Sequence, residues 1–134
     1  MAAAPIYIGT IKSQSQTFVN ADGVATKAIF TAGASGAKVQ LAEATSDDTA
    51  ARILRLSVQV GGAGADIQIG SVSIAITAGI GGLASVNLLS ATQLPWILED
   101  GSMLLGPSDV LKANAEVAVT AAKTIWVLCA GGSY

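Results

Sequence analysis

Apolar and polar residues alternate most regularly between positions 52 and 61. A period of two is typical of a β-strand that buries one face and exposes the other. A polar cluster at 45–49 precedes this stretch and a glycine-rich segment at 61–64 follows it, and both have turn chemistry. We therefore expect a central strand of an antiparallel sandwich here. Its apolar face comprises Leu54, Leu56, Val58 and Val60, and its mostly polar face comprises Ile53, Arg55, Ser57 and Gln59.

Other strand candidates follow at a spacing of roughly ten residues, with turn signals between them, which is typical of a sandwich or small barrel. Polar residues at 13–16 indicate a turn, and Gly70 is expected to mark a bulge or bend. A short helix is the alternative at 87–94, where it would end before Pro95. The other candidate strands are 6–11, 26–31, 38–45, 66–69, 71–77, 103–105, 110–119 and 123–130.

The apolar faces of these strands predict the core. Val39 and Leu41 are expected to share a face. Residues 125–129 are apolar on both faces, as expected of a strand covered on both sides, so Trp126 is predicted to be in the core. The predicted core includes Leu54, Leu56, Val58, Val72, Ile74, Val117, Ile125 and Val127.

The predicted fold class is therefore all-β: an antiparallel β-sandwich, jelly-roll or immunoglobulin-like, of about eight to ten short strands. At most one short helix is expected, near 87–94. Residues 1–134 are expected to form a single domain, with residues 1–11 as a candidate N-terminal arm.

Charge is unusually scarce in this sequence. Only 12% of the 134 residues are charged, against a usual value of about 25%. Either part of the surface is covered by another chain, or a small-residue β-protein exposes Ala, Thr and Ser. The net charge is −2 and the seven basic residues are spread singly, which argues against nucleic acid as a partner. No signal peptide is expected at the N-terminus, and no apolar run is long enough to predict a membrane span.

Candidate chemistry is sparse. The sequence has no histidine and one cysteine, Cys129, so the usual zinc sites and Ser-His or Cys-His pairs are excluded. Cys129 is expected to be a small buried hydrophobe. The adjacent carboxylates Asp47/Asp48 and Glu99/Asp100 are expected to be solvated turns with local Asx bonds, although Ca²⁺ binding there stays open. The glycine-rich loops lack a phosphate-binding motif. We predict no catalytic, cofactor or metal site, and no enzyme.

Five stretches taken together resemble small virion proteins of tailed bacteriophages: TSDDTAA at 45–51, NLLSATQLP at 87–95, LLGPSDVLK at 104–112, VAVTAAKTI at 117–125 and the terminal GGSY. Each is largely turn-plus-strand chemistry. The resemblance implies an all-β structural protein that assembles in many copies, with no catalytic residues to transfer. It includes head decoration, or cement, proteins.

The resemblance therefore implies a capsid decoration protein that stabilises the phage head by binding seams of the major capsid protein. It would be made in the host cytoplasm, lie on the capsid exterior and form a homotrimer. The alternatives are a tail, neck or fibre component, or a carbohydrate-binding β-sandwich. The last would need exposed aromatic side chains on one face, and the sequence has few aromatic residues. The candidate partner contacts are Ile6, Tyr7, Ile8, Ile11, Ile80 and Trp96.

Overall fold

A computed structural model describes residues 9–90, 97–98 and 101–134. These residues form nine β-strands and two single 3₁₀ turns, at Asn20–Asp22 and Val60–Gly62, with no α-helix in the described part. The all-β prediction is confirmed. The strands are β1 (Thr10–Val19), β2 (Lys27–Thr31), β3 (Ala37–Ser46), β4 (Arg52–Gln59), β5 (Ile67–Ile74), β6 (Val86–Asn87), β7 (Met103–Leu105), β8 (Val110–Ala115) and β9 (Thr124–Ser133).

The strands form two antiparallel sheets, as predicted for a sandwich. The five-stranded sheet has the order β1-β9-β3-β6, with β7 also paired to β3, and the four-stranded sheet has the order β2-β8-β4-β5. The alternating stretch at 52–59 is β4, an interior strand between β8 and β5. Its predicted central position is confirmed. Among the described residues, no helix is long and apolar enough to cross a membrane.

The core lies between the two sheets and draws on the inward face of each strand. Six of the eight predicted core residues are buried, and Val58 is half-buried against that core. Val117 was predicted wrongly: its side chain is 61% exposed. β8 ends at Ala115, and the strand alternation that would have carried Val117 inward ends with it. The six buried residues are Leu54, Leu56, Val72, Ile74, Ile125 and Val127.

The predicted turn at 13–16 is wrong, because these polar residues lie in the middle of β1. Their inward side chains bridge the edge of one sheet to the edge of the other. The Gln14 amide accepts a hydrogen bond from Thr31 N at 2.9 Å and donates one to Thr31 O at 3.1 Å. Lys12 Nζ donates to Thr31 O at 2.7 Å, and Gln16 Nε2 donates to Ala28 O at 3.1 Å. The polar pattern therefore belongs to an edge strand whose side chains hydrogen-bond backbone groups of the edge strand of the other sheet.

Two bulges change which side chains face the core. Gly70 pairs with Leu56, but the next pair is Ser57 with Gln68, so the predicted irregularity at Gly70 is confirmed. In β3 the register shifts between Val39 and Leu41. Val39 is consequently buried and Leu41 is exposed, and the prediction that they share a face is wrong.

The segment predicted as a short helix is not helical where the structure describes it. Asn87 ends β6, and its Oδ1 accepts a hydrogen bond from Leu89 N at 2.9 Å. Leu88 N donates to Ala42 O at 2.8 Å, so the chain stays beside β3 and buries Leu88. Residues 91–94 of the predicted helix lie outside the described residues.

The sandwich has two ends with different loops. At the Gly9 end, β1 begins and the loops after β2, β4 and β7 meet: Asp109 O accepts from Ala32 N, and Asp109 Oδ1 accepts from Gly61 N, both at 2.8 Å. At the Asp48 end, the β3–β4 turn meets the β8–β9 turn, and Asp47 N donates to Thr124 O at 3.2 Å. Each end of the sandwich therefore brings together loops that are distant in sequence.

Candidate functional site

The outer face of the five-stranded sheet carries the largest exposed aromatic side chain that the structure describes. On β9, Ile125, Val127 and Cys129 point into the core, while Trp126 and Leu128 point outward and are 42% and 50% exposed. The predictions that this strand is covered on both sides and that Trp126 is in the core are therefore wrong. The described residues place no second layer over this face. The sequence did not signal this outcome, because the strands that flank β9 are identified only in the folded sheet.

Trp126 forms the floor of a shallow groove. In the strand register Trp126 lies between Thr17 of β1 and Thr45 of β3, and Leu128 lies between Ser15 and Glu43. The groove encloses about 340 Å³. We call it the Trp126 groove; its lining residues are Ser15, Gln16, Thr17, Glu43, Thr45, Ser85, Trp126, Val127 and Leu128.

One wall of the Trp126 groove is formed by the loop between β5 and β6. Ser46 N donates to Ala78 O at 2.9 Å, and Ser85 Oγ donates to Glu43 Oε2 at 2.9 Å. Gly79 has a φ of +80° and packs against the Thr45 methyl group, so a Cβ there would overlap it. The loop therefore holds Ser85 at the groove before any ligand arrives.

A second concavity lies at the Gly9 end, between the end of the β4–β5 hairpin and β7. It encloses about 420 Å³ and is lined almost entirely by apolar side chains. Four of them, Val60, Ile67, Leu98 and Leu104, are large and exposed. We call it the apolar cleft; its described lining comprises Val58, Val60, Ile67, Ile69, Leu98, Met103, Leu104, Leu105 and Asp109.

The predicted contact residues are not gathered at one site. Ile6, Tyr7, Ile8 and Trp96 lie outside the described residues. Ile11 is exposed on β1 close to the Gly9 end, where it pairs with Gly132. Ile80 is exposed in the β5–β6 loop at the Asp48 end. The apolar side chains around the cleft were not predicted as contacts, because they come from four separate segments that only the fold brings together.

A buried carboxylate organises the Asp48 end. Asp48 is fully buried and accepts hydrogen bonds from Arg52 Nε at 2.9 Å, from Thr120 N at 3.0 Å and from Thr120 Oγ1 at 2.7 Å. It also makes the predicted Asx bond, from Ala50 N at 2.9 Å. The prediction of a solvated turn is therefore wrong for Asp48.

These donors decide the charge of Asp48. Burial by itself would raise its pKa, but the hydrogen bonds from the Thr120 amide, Arg52, the Thr120 hydroxyl and the Ala50 amide hold the pKa well below the usual range. Both oxygens are bonded within the protein. Glu99 and Asp100 lie outside the described residues, and no group of three or more His, Cys, Asp or Glu in the described part could hold a metal ion.

This lowered pKa predicts a particular acid sensitivity. A carboxylate whose pKa is lower in the folded state than in the unfolded state stabilises the fold at pH values above its unfolded-state pKa, which is near 3.8. This stabilisation is lost as the pH falls below that value and the carboxylate becomes protonated. We expect the stability advantage of the wild type over Asp48→Asn to be complete at pH 7 and to shrink between about pH 5 and pH 2. Urea unfolding of both proteins across this range measures it. An advantage that is independent of pH would contradict the assignment.

Cys129 is fully buried, as predicted, and burial raises the pKa of its thiol to about 12. It therefore stays protonated at neutral pH and is a poor nucleophile. The Trp126 groove and the apolar cleft are two concave features of the described surface that could bind a ligand or partner. No protein-family model, curated protein or solved structure matches this chain.

Proposed function

We propose that this chain is a structural virion protein of a tailed bacteriophage, a head decoration protein that binds the major capsid protein and has no catalytic activity. The observation that carries the proposal is the apolar cleft. Exposed clusters of large aliphatic side chains on a charge-poor surface favour contact with another protein. The resemblance of the sequence to small virion proteins of tailed bacteriophages is the basis for proposing that this protein assembles on a phage head.

The position of the cleft supports a shared contact surface with residues 1–8. Gly9 N donates to Ser133 O at 2.8 Å, and from β1 the sheet continues through β9 and β3 to β7, which lines the cleft. Three strand spacings amount to about 14 Å. Eight extended residues span up to about 26 Å, so the segment and the cleft are within reach of one partner surface.

In this proposal each copy adds contact area at a seam between capsid subunits. Ile6 and Ile8 are separated by Tyr7, so in an extended strand the two isoleucines would share one face. Such a strand could join an open sheet edge of the partner. The proposed assembly is a homotrimer on the head exterior, formed after synthesis in the host cytoplasm. Each occupied site contributes its binding free energy to the shell, and the contributions of many copies add up.

Removing residues 1–8 tests the proposed attachment. We expect the truncated protein to stay folded, because β1 begins at Thr10, and to bind heads assembled without this protein at least about tenfold more weakly. Co-sedimentation measures the binding, and circular dichroism checks the fold. Ile67→Asp in the cleft should weaken binding similarly.

The matched control is Ile53→Asp, which places the same charge at an exposed outward position of β4, near the opposite, Asp48 end of the sandwich. It should bind heads like the wild type. Full binding by both the truncated protein and Ile67→Asp would reject the cleft as the contact.

Copy number in the virion separates the alternatives: hundreds of copies per particle indicate a head decoration protein, whereas a ring or a few copies indicate a neck, tail or fibre component.

A further inference from the structure

We propose that the Trp126 groove binds a neutral oligosaccharide, with one sugar ring stacked on the indole of Trp126. This binding function goes beyond the proposed attachment to the head and uses a different surface. The groove lies on the outer face of the five-stranded sheet, whereas the apolar cleft lies at the Gly9 end. The two functions are therefore separable by experiment.

The floor of the groove offers an apolar platform with a polar surrounding. The exposed ring of Trp126 can pack against the C–H face of a pyranose, and Leu128 extends the apolar floor along the strand. Ligand sites of small molecules combine such apolar contact with a few placed polar groups. The groove has that composition, because the outward side chains that line it besides Trp126 and Leu128 are hydroxyls and a carboxylate, from Ser15, Thr17, Glu43, Thr45 and Ser85.

The flanks of the groove carry hydroxyl groups on both sides of the indole. Ser15 and Thr17 project from β1, and Thr45 projects from β3 with Ser85 behind it. Each hydroxyl can donate and accept, as sugar hydroxyls require. The strands on either side of β9 are about 9.6 Å apart, twice the usual strand spacing, so hydroxyls from both strands flank a ring stacked on Trp126.

The same lining argues against a protein partner at this site. The cores of protein interfaces are enriched in Trp but depleted in Ser and Glu, whereas the lining of this groove includes Ser15, Ser85 and Glu43 in addition to Trp126. Among the lining residues that the structure describes, Glu43 is the only charged one. Its carboxylate can accept hydrogen bonds from sugar hydroxyls and repels acidic sugars, so the ligand class is neutral.

The groove is formed before the ligand binds. Ser85 is fixed on Glu43, and Thr45 is fixed under Gly79, by the contacts described above. A preformed site loses little conformational entropy when the ligand binds, so more of the interaction free energy contributes to the affinity.

Glycan binding by the full-length purified protein tests the proposal. The probes are immobilised neutral oligosaccharides of glucose, galactose, mannose and N-acetylglucosamine, with polysialic acid as the acidic probe. We expect at least one neutral series to bind and the acidic one not to bind. Trp126→Ala should weaken the binding at least about tenfold, as expected from losing one stacking contact, and Trp126→Phe should retain most of it.

The control is Ile53→Ala, an exposed position on the other sheet, which should bind sugar like the wild type. Head binding should be unchanged in Trp126→Ala, so failure of this proposal is distinct from failure of the attachment proposal. Absence of binding to every neutral probe overturns it, as does sugar binding that survives in Trp126→Ala. A change of oligomeric state in Trp126→Ala without any sugar binding would assign the groove to a second copy of the chain instead.

Discussion

Asp48→Ala is expected to destabilise the protein by about 3–5 kcal/mol, the cost of breaking a buried charged pair from one side. The carboxylate receives hydrogen bonds from Arg52, Ala50 and Thr120. Its removal leaves two backbone amides without their acceptors and a mostly buried guanidinium without its counter-charge. Because these groups join the β3–β4 and β8–β9 turns, the loss acts on both sheets. Equilibrium unfolding in urea measures the difference.

The neighbouring carboxylate provides the control. Asp47 is half-buried, and its Oδ1 accepts a hydrogen bond from Thr124 N at 2.7 Å. Asp47→Ala removes this one bond and is expected to cost about 1 kcal/mol. Equal losses for Asp47→Ala and Asp48→Ala would show that the buried network is not the source of the stability.

Leu56→Ala is expected to cost about 2–5 kcal/mol, through lost burial and the cavity left behind. Leu56 is fully buried on an interior strand and pairs with Ala113 on one side and Gly70 on the other. These small neighbours cannot extend side chains into the space that a leucine leaves. The free energy of unfolding in urea is again the measurement.

Ile53→Ala is the matched control on the same strand, because Ile53 faces outward from β4 and is exposed. Its loss is expected to stay within about 0.5 kcal/mol. A loss at Ile53 as large as that at Leu56 would mean that the outer face of the four-stranded sheet is covered in solution, and would overturn the assignment of inner and outer faces.

The sequence was informative where one face of a strand is apolar and the other polar. In β4 the alternation alone identified Leu54 and Leu56 as core and Ile53 as outward. It failed where long-range partners decide the outcome. The polar residues of β1 make sense only beside Thr31, which lies on another strand, and the face of Leu41 depends on a bulge that the sequence does not mark.

The candidate site shows the same division. Cys129 was correctly predicted as buried, because small apolar residues of interior strands have few alternatives. Trp126 was wrongly predicted to be in the core, because a strand that is apolar on both faces has the same sequence pattern whether its outer face is covered or exposed. The difference lies in Thr17 and Thr45, which are distant in sequence and become its neighbours only in the folded sheet.

The side chains that bridge β1 and β2 have a consequence for aggregation. Edge strands present unpaired backbone groups that invite edge-to-edge association and fibril growth, a hazard for a protein made at high concentration. Here Gln14 bonds both backbone groups of Thr31, and Lys12 and Lys27 add charge along the same seam through their bonds to Thr31 O and Thr17 O. A strand arriving at this side of the sandwich would have to displace these contacts and desolvate two ammonium groups. This side of the sandwich is thereby protected against runaway polymerisation.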